Sequence, residues 1–350
     1  MYRGTIFNMI PNTQLKEYID HLMQSGKGIL AADESTQSMN ARLEAVSVGG
    51  TDLSRQTYRD LLLTAPGIEQ YMSGVILYDE TIRENTLSGV TFPASLISRG
   101  VMPGIKVDKG LVDIHEFPSE KATEGLDGLS ERMDTYEGMG ARFAKWRAAF
   151  EISESTPSDA VIALNAVTLA RYASICQMNG VVPMVEPEVL MHGSHDIGTS
   201  EEVTTRVLQI LFTTLREYKV DLRGVILKTS MVIAGDSHTE QTTPQGVADA
   251  TLRTLHLSVP HEVPAIVYLS GGQSPVRATE NLQEIQSRGG QPWKMTFSYS
   301  RALEEPVLAI WQGKEENKAK AQAALLHRLK MNSLAQLNQY TKEAEGEWQG

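Results

Sequence analysis

Gly224-Val225-Ile226-Leu227-Lys228 is the stretch on which the reading of this chain turns. Three apolar residues, two of them β-branched, run without alternation into a lysine and then into Thr229-Ser230. That is the pattern of a parallel strand buried on both faces. A charge at the tip of such a strand is costly unless it is paired or used. A lysine there either carries its ammonium out to water on its methylene stem, or gives up a proton and becomes an amine that attacks a carbonyl. The rest of the chain decides between the two.

The same form recurs at intervals. Gly28-Ile29-Leu30-Ala31-Ala32 ends in Asp33-Glu34-Ser35, Gly74-Val75-Ile76-Leu77-Tyr78 in Asp79-Glu80, and Gly104-Ile105 in Lys106-Val107-Asp108-Lys109-Gly110. Phe143-Ala144-Lys145-Trp146-Arg147 has weaker strand propensity but falls at the expected interval. Val181 to Glu188, Ala265 to Gly272 and Met295 to Arg301 complete the set. Helical spacing of apolar residues predicts helices over about 13–25, 55–63, 129–139, 158–178, 200–218, 244–257 and 276–287, with a further helical stretch around Arg42. Residues 302–345, rich in Ala, Leu, Lys, Glu and Gln, are expected to be almost wholly helical, with Tyr340 on the last helix. The loopiest interior stretches are 47–52 and 235–243. Eight strands alternating with helices argue for a closed parallel barrel. An open doubly wound sheet is disfavoured, because no Gly-x-Gly-x-x-Gly follows a strand. The expected architecture is α/β: one (β/α)8 TIM-barrel domain over 1–350, with an extra N-terminal helix, the barrel over about 28–301 and a C-terminal helical region over about 302–345.

Composition narrows the function. A net charge of −11 argues against nucleic acid and anionic membranes as partners. No apolar run approaches the roughly 18 residues of a membrane span, and Met1-Tyr2-Arg3-Gly4 does not open a secretory signal. The single cysteine, Cys176, forms no internal disulfide, fits a reducing, cytoplasmic setting, and reads as a buried helix residue. Any anionic substrate must therefore be met by basic residues gathered locally.

The strand ends gather them. Asp33, Lys106 with Asp108, Lys145 with Arg147, Glu186 with Glu188, Lys228, Ser270 and Arg301 all fall where a barrel places its active site. Each pair is two residues apart, so both members point to one side of a strand. Lys145 near Lys228 disfavours two ammonium ions, favouring a free amine. An amine that condenses with a ketone gives an iminium, an electron sink for making or breaking the adjacent carbon–carbon bond. Asp33, Glu186 and Glu188 are candidates for moving the protons. Ser270-Gly271-Gly272 offers backbone N–H groups to a phosphate, and Arg301 a charge-assisted fork.

Taken together, Ala31-Ala32-Asp33-Glu34-Ser35-Thr36, Ile105 to Gly110, Gly125-Leu126-Asp127-Gly128-Leu129-Ser130-Glu131-Arg132, Phe143 to Arg147, Val185 to Glu188, Leu227-Lys228 and Leu269-Ser270-Gly271-Gly272-Gln273 resemble the signatures of class I fructose-bisphosphate aldolase, over about residues 13–341. The resemblance implies a metal-independent, cofactor-free lyase that cleaves fructose 1,6-bisphosphate reversibly to dihydroxyacetone phosphate and glyceraldehyde 3-phosphate, usually as a homotetramer. It implies Lys228 as the Schiff-base lysine, Asp33 as base for the C4 hydroxyl, Glu186 as the acid/base of carbinolamine dehydration, Lys145 as its electrostatic aid and Glu188 as an organiser. It further implies that Ser270, Gly271 and Arg301 hold the C1 phosphate, with Gly272 and Ser300 among the substrate- and phosphate-binding positions, and that Ser38, Arg42, Lys106 and Arg147 reach the rest of the sugar and the C6 phosphate.

Three departures stand out. Thr229-Ser230 follow the lysine where the family often has Pro-Asn. Ser300 stands where it often has glycine, and serine is unstrained there only if φ is negative. The chain ends at Gln349-Gly350 without the terminal tyrosine of animal members. Rival readings are a metal enzyme using His192 and His195 with Glu186 or Glu188, another Schiff-base enzyme such as a transaldolase, and a non-catalytic binding scaffold.

Overall fold

The structure is a computed structural model that describes residues 12–346, so the expectations for Met1–Gly4 and Gln349–Gly350 lie outside it. Ten strands are present among the described residues: β1 Gly28–Ala32, β2 Met72–Leu77, β3 Met102–Lys106, β4 Leu111–Ile114, β5 Phe117–Thr123, β6 Phe143–Phe150, β7 Val182–Val189, β8 Ile226–Thr229, β9 Ala265–Tyr268 and β10 Lys294–Tyr299. All but β4 and β5 pair in parallel and close into a barrel in the order β1-β10-β9-β8-β7-β6-β3-β2. This is the expected TIM barrel. β4 and β5 form an antiparallel hairpin inserted between β3 and β6, in a stretch for which the sequence pattern predicts no element.

The helices are α1 Asn12–Leu22, α2 Thr36–Ala45, α3 Asp52–Leu63, α4 Asp79–Arg83, α5 Phe92–Ile97, α6 Leu129–Gly138, α7 Asp159–Met178, α8 Ile197–Glu217, α9 Pro244–Ser258, α10 Pro275–Ser287, α11 Arg301–Trp311, α12 Lys318–Gln336 and α13 Lys342–Gly346. Some boundaries differ from expectation for local reasons. Leu222–Gly224 is a turn of 3-10 helix, so the decisive strand starts at Ile226. Asp79 and Glu80 leave their strand and begin α4. The C-terminal region is helical as expected, in three helices. Gln312 and Asn338 take left-handed backbone at φ 49° and 58°, which stops α11 and α12, and Tyr340 lies between α12 and α13. The 20-residue α7 is long and apolar enough to cross a membrane by length and composition, contrary to expectation. In the fold it packs on β6 and β7, with Leu169, Tyr172 and Cys176 buried.

The barrel interior is filled, and its lower end is plugged by α1. Leu15, Ile19 and Leu22 of that helix meet Phe143, Met184, Ile226 and Val267 inside the strands. Glycine makes room for two rings, Phe143 inside the barrel and Phe297 in the layer outside its strands. A Cβ on Gly28 would meet the Phe297 ring at 2.4 Å, and one on Gly104 would meet the Phe143 ring at 2.3 Å. With the bottom sealed by apolar packing, polar side chains collect at the opposite end. Gly104→Ala is expected to lower the unfolding free energy by about 1–3 kcal/mol through overpacking, measured by chemical denaturation against the parent chain.

Candidate active site

At the carboxyl end of the strands lies a cavity of about 1090 Å3. Its floor holds four charged groups from four strand ends: Asp33 after β1, Lys145 on β6, Glu186 on β7 and Lys228 on β8. They are only 6%, 5%, 3% and 3% exposed. Alternation along β6 and β7 turns Lys145 and Glu186 inward while Trp146 and Val185 pack outward. Lys145 Nζ donates to Asp33 Oδ2 at 2.9 Å and lies 3.0 Å from Glu186 Oε2, an ionic contact without hydrogen-bond alignment. Glu186 Oε1 lies 3.3 Å from Lys228 Nζ. Glu186 therefore stands between the two amines.

Burial alone would raise both carboxyl pKa values. At Asp33, Lys145 and Lys228 outweigh that effect and hold the carboxyl well below its usual range. Lys145, Lys228 and Arg147 do the same for Glu186. Burial works against the charge on Lys145, but Asp33, Glu186 and Asp108 raise its pKa and fix it as a cation. The resting floor thus carries two carboxylates and a permanent ammonium beside Lys228.

A charged rim surrounds the floor. Lys106 pairs with Asp108 at 2.6 Å, and Arg147 pairs with Glu188. Ser38 and Arg42 of α2 line the cavity, as do Ser270, Gly271, Ser300 and Arg301. Gly271 and Gly272 have φ of 61° and 97°, values that favour glycine. Gly272 does not line the cavity. It lies under Arg301, whose Nη2 would be 3.2 Å from a Cβ there, so its missing side chain leaves room for the guanidinium. Among the described residues Arg301 has no ion pair; it is the first residue of α11.

The departures have local explanations. Ser300 has φ −110°, so no strain arises from the missing glycine. Its Oγ donates to Glu34 Oε1 at 2.6 Å and accepts from Arg42 Nη1 at 3.1 Å. Thr229 is buried, and Ser230 Oγ donates to Val189 O at 2.9 Å, tying the end of β8 to β7.

Three residues escaped the sequence reading. Glu34 binds Arg42 and also accepts from Arg59 Nη2 at 2.6 Å. Glu304, fully buried, lies 3.4 Å from Arg42. The spacing Leu303, Glu304, Val307, Leu308, Trp311 carried the signal for Glu304, because it puts a carboxyl on the buried stripe of α11. Arg59 sits likewise among buried residues of α3. The metal alternative finds no ligand set: His192 pairs with Asp236 at 2.8 Å, and neither it nor His195 lines the cavity with Glu186 or Glu188. Among the described residues no three His, Cys, Asp or Glu side chains converge as metal ligands.

The sequence and the barrel fold match known proteins. The family profile "Fructose-bisphosphate aldolase class-I" matches residues 14–349. The chain belongs to the class I fructose-bisphosphate aldolase family. It is a lyase of that family, which acts on phosphorylated sugars. The chain is 46% identical over 338 residues to a probable class 1 fructose-bisphosphate aldolase of Xanthomonas campestris, covering 96% of this chain and 99% of that one. It is also 46% identical to a cytosolic fructose-bisphosphate aldolase of Arabidopsis thaliana, over 97% of this chain and 86% of that one. A solved structure of the Plasmodium falciparum aldolase, in complex with TRAP and a small-molecule inhibitor, superposes with a TM-score of 0.93 at 47% identity, covering 94% of this chain and 96% of that one.

The charge pairing of this aldolase predicts a pH signature. Asp33 and Glu186 have depressed pKa values, so their stabilisation is present above the unfolded values and fades as pH falls. In Lys145→Met the buried carboxylates lose their cation. That variant is expected to lose about 3–5 kcal/mol at pH 7 and to regain part of it towards pH 5, where protonation relieves the unpaired charge. Thermal melts from pH 5 to 8 check this.

Proposed function

We propose that the chain cleaves fructose 1,6-bisphosphate reversibly to dihydroxyacetone phosphate and glyceraldehyde 3-phosphate, with Lys228 as nucleophile and no metal. The observation that carries this reading is Glu186, held between Lys145 and Lys228 with an oxygen within 3.3 Å of each amine. A carboxylate so placed takes a proton from the Lys228 ammonium and leaves an amine aimed into the cavity. The amine adds to the C2 ketone, giving a carbinolamine. Glu186, now protonated, gives its proton to the departing hydroxyl, so water and an iminium form. Lys145 cannot supply that proton without losing its two anions, so it stays charged and steadies each carboxylate as it ionises.

Asp33 is an ionised base on the other side of Lys145. It takes the C4 hydroxyl proton as the C3–C4 bond breaks. The bond's electrons pass to the iminium as an enamine, and the aldehyde leaves. Protonation at C3 and hydrolysis then release dihydroxyacetone phosphate and restore Lys228. In this reading Ser270, Gly271, Ser300 and Arg301 take the C1 phosphate, with Gly272 shaping the seat of Arg301. Ser38, Arg42, Lys106 and Arg147 serve the sugar and its second phosphate, and Glu188 holds Arg147 in place. The unpaired Arg301 supports that assignment, because a buried-edge cation without an anion suits a phosphate dianion. The cytosolic Arabidopsis relative supports a cytoplasmic setting, and we infer a single catalytic domain assembled as a homotetramer.

Borohydride reduction in the presence of dihydroxyacetone phosphate is expected to add one covalent label, on the peptide carrying Lys228, unaffected by EDTA. Mass spectrometry reads the site; no label, with activity lost in EDTA, would overturn the reading. Glu186→Gln is expected to lower kcat by about 100-fold or more, the ordinary weight of a general acid/base, with the label still forming slowly.

A further inference from the structure

Behind the rim lies a second charge cluster whose carboxyl groups, Glu34 and Glu304, and whose Arg59 have no part in the reaction described above. Glu34 is shared by two arginines, Arg42 and Arg59, and its Oε1 also accepts from Ser300. A second carboxyl, Glu304 on α11, reaches the same Arg42 Nη1 at 3.4 Å and the Tyr58 hydroxyl at 3.4 Å. Glu304 has no exposed surface, and its Oε1 has no partner among the described residues. Only Nη1 of Arg42 is engaged by this cluster; the side chain, 24% exposed, lines the cavity.

We propose that Glu304 is a positioning residue of the substrate phosphate site: as an uncharged acid it leaves one carboxylate for two arginines, and the surplus positive charge is what Arg42 offers to a phosphate. If Glu304 were ionised, two carboxylates would neutralise two arginines, and Arg42 would be held by its own neighbours. The proposal rests on the assignment of Arg42 to a phosphate of the bisphosphate. The groups facing Glu304 favour the neutral form. Burial, then Glu34 in the loop after β1, push its carboxyl up to about 8; Arg42 on α2 and Arg59 on α3 only partly oppose this, and Asp33 adds to the rise. The Tyr58 hydroxyl is kept neutral by its own burial. A phosphate dianion bound at Arg42 further disfavours ionisation of Glu304, so binding near pH 8 takes up a proton.

The test uses the full chain and a hexitol 1,6-bisphosphate, which lacks the carbonyl needed for imine formation and whose phosphates, with a second pKa of about 6, are already mostly dianionic at pH 7. Calorimetry gives its Kd at pH 7 and pH 9 for the wild type and for Glu304→Gln. With a midpoint near 8, the competent fraction falls to about a tenth by pH 9, so wild-type Kd is expected to rise about tenfold. In Glu304→Gln the ratio of the two values is expected to stay within about twofold. An equal rise in both proteins, or no rise in the wild type, overturns the proposal. Absence of binding by the wild type at pH 7 overturns it together with the substrate assignment. Should Glu304→Gln fail to fold, wild-type titrations at pH 8 in buffers of different ionisation enthalpy decide instead: net proton uptake supports the proposal, and none overturns it.

Discussion

Two lysine side chains and two carboxylates have to balance one another in the buried floor of the barrel, and much else follows from that. A buried ion without partners carries a penalty of several kcal/mol, so Asp33, Lys145, Glu186 and Lys228 are tolerable only when four strand ends meet. Closure of the barrel is what makes them meet. Conversely, the site adds little stability that an apolar core would not supply. Its residues are kept for the states they impose on one another, two ready bases and one fixed cation beside an amine. Fold and reactivity here are one electrostatic condition described at two scales.

Away from the floor the balance shifts. The chain is acidic as a whole, at −11, yet the cavity gathers Arg42, Lys106, Arg147 and Arg301 around its mouth. Most of these are partly neutralised by a tethering carboxylate: Asp108 for Lys106, Glu188 for Arg147, Glu34 for Arg42. Tethering fixes the geometry and reduces the attraction for anions, and a rim built this way holds a phosphate without trapping it. Arg301 stands apart, positioned by the absent side chain of Gly272 rather than by an anion.

Much of this was legible in the sequence. Unbroken apolar runs ending in charge gave the strands, and the two-residue spacing of Lys145/Arg147 and Glu186/Glu188 gave their common orientation. What escaped had physical reasons. β4 alternates exposed and half-buried residues over few positions, and the residues β5 buries, Glu120 and Thr123, are polar, so the hairpin's pattern is faint. The breaks at Gln312 and Asn338 come from left-handed residues that are not the usual glycine. Glu34, Arg59 and Glu304 act as a group assembled from a loop and two helices distant in sequence, and no local spacing announces that. Only Glu304, a carboxyl on an apolar stripe, was anomalous enough to be noticed alone. The expectation that Lys145 and Lys228 simply repel one another missed the mediating position of Glu186, a matter of ångströms rather than of order along the chain.

The seam of the barrel joins β1 to β10, and around it Thr296 Oγ1 donates to Lys27 O across 269 positions of sequence. Ser333 on α12 reaches back in the same way to Gly26. During synthesis the first strand therefore waits for its last neighbour on the order of tens of seconds at ordinary elongation rates. Through that interval an unpaired apolar edge is open to other chains. The arrangement makes the nascent protein a natural client for folding assistance until its final third has left the ribosome.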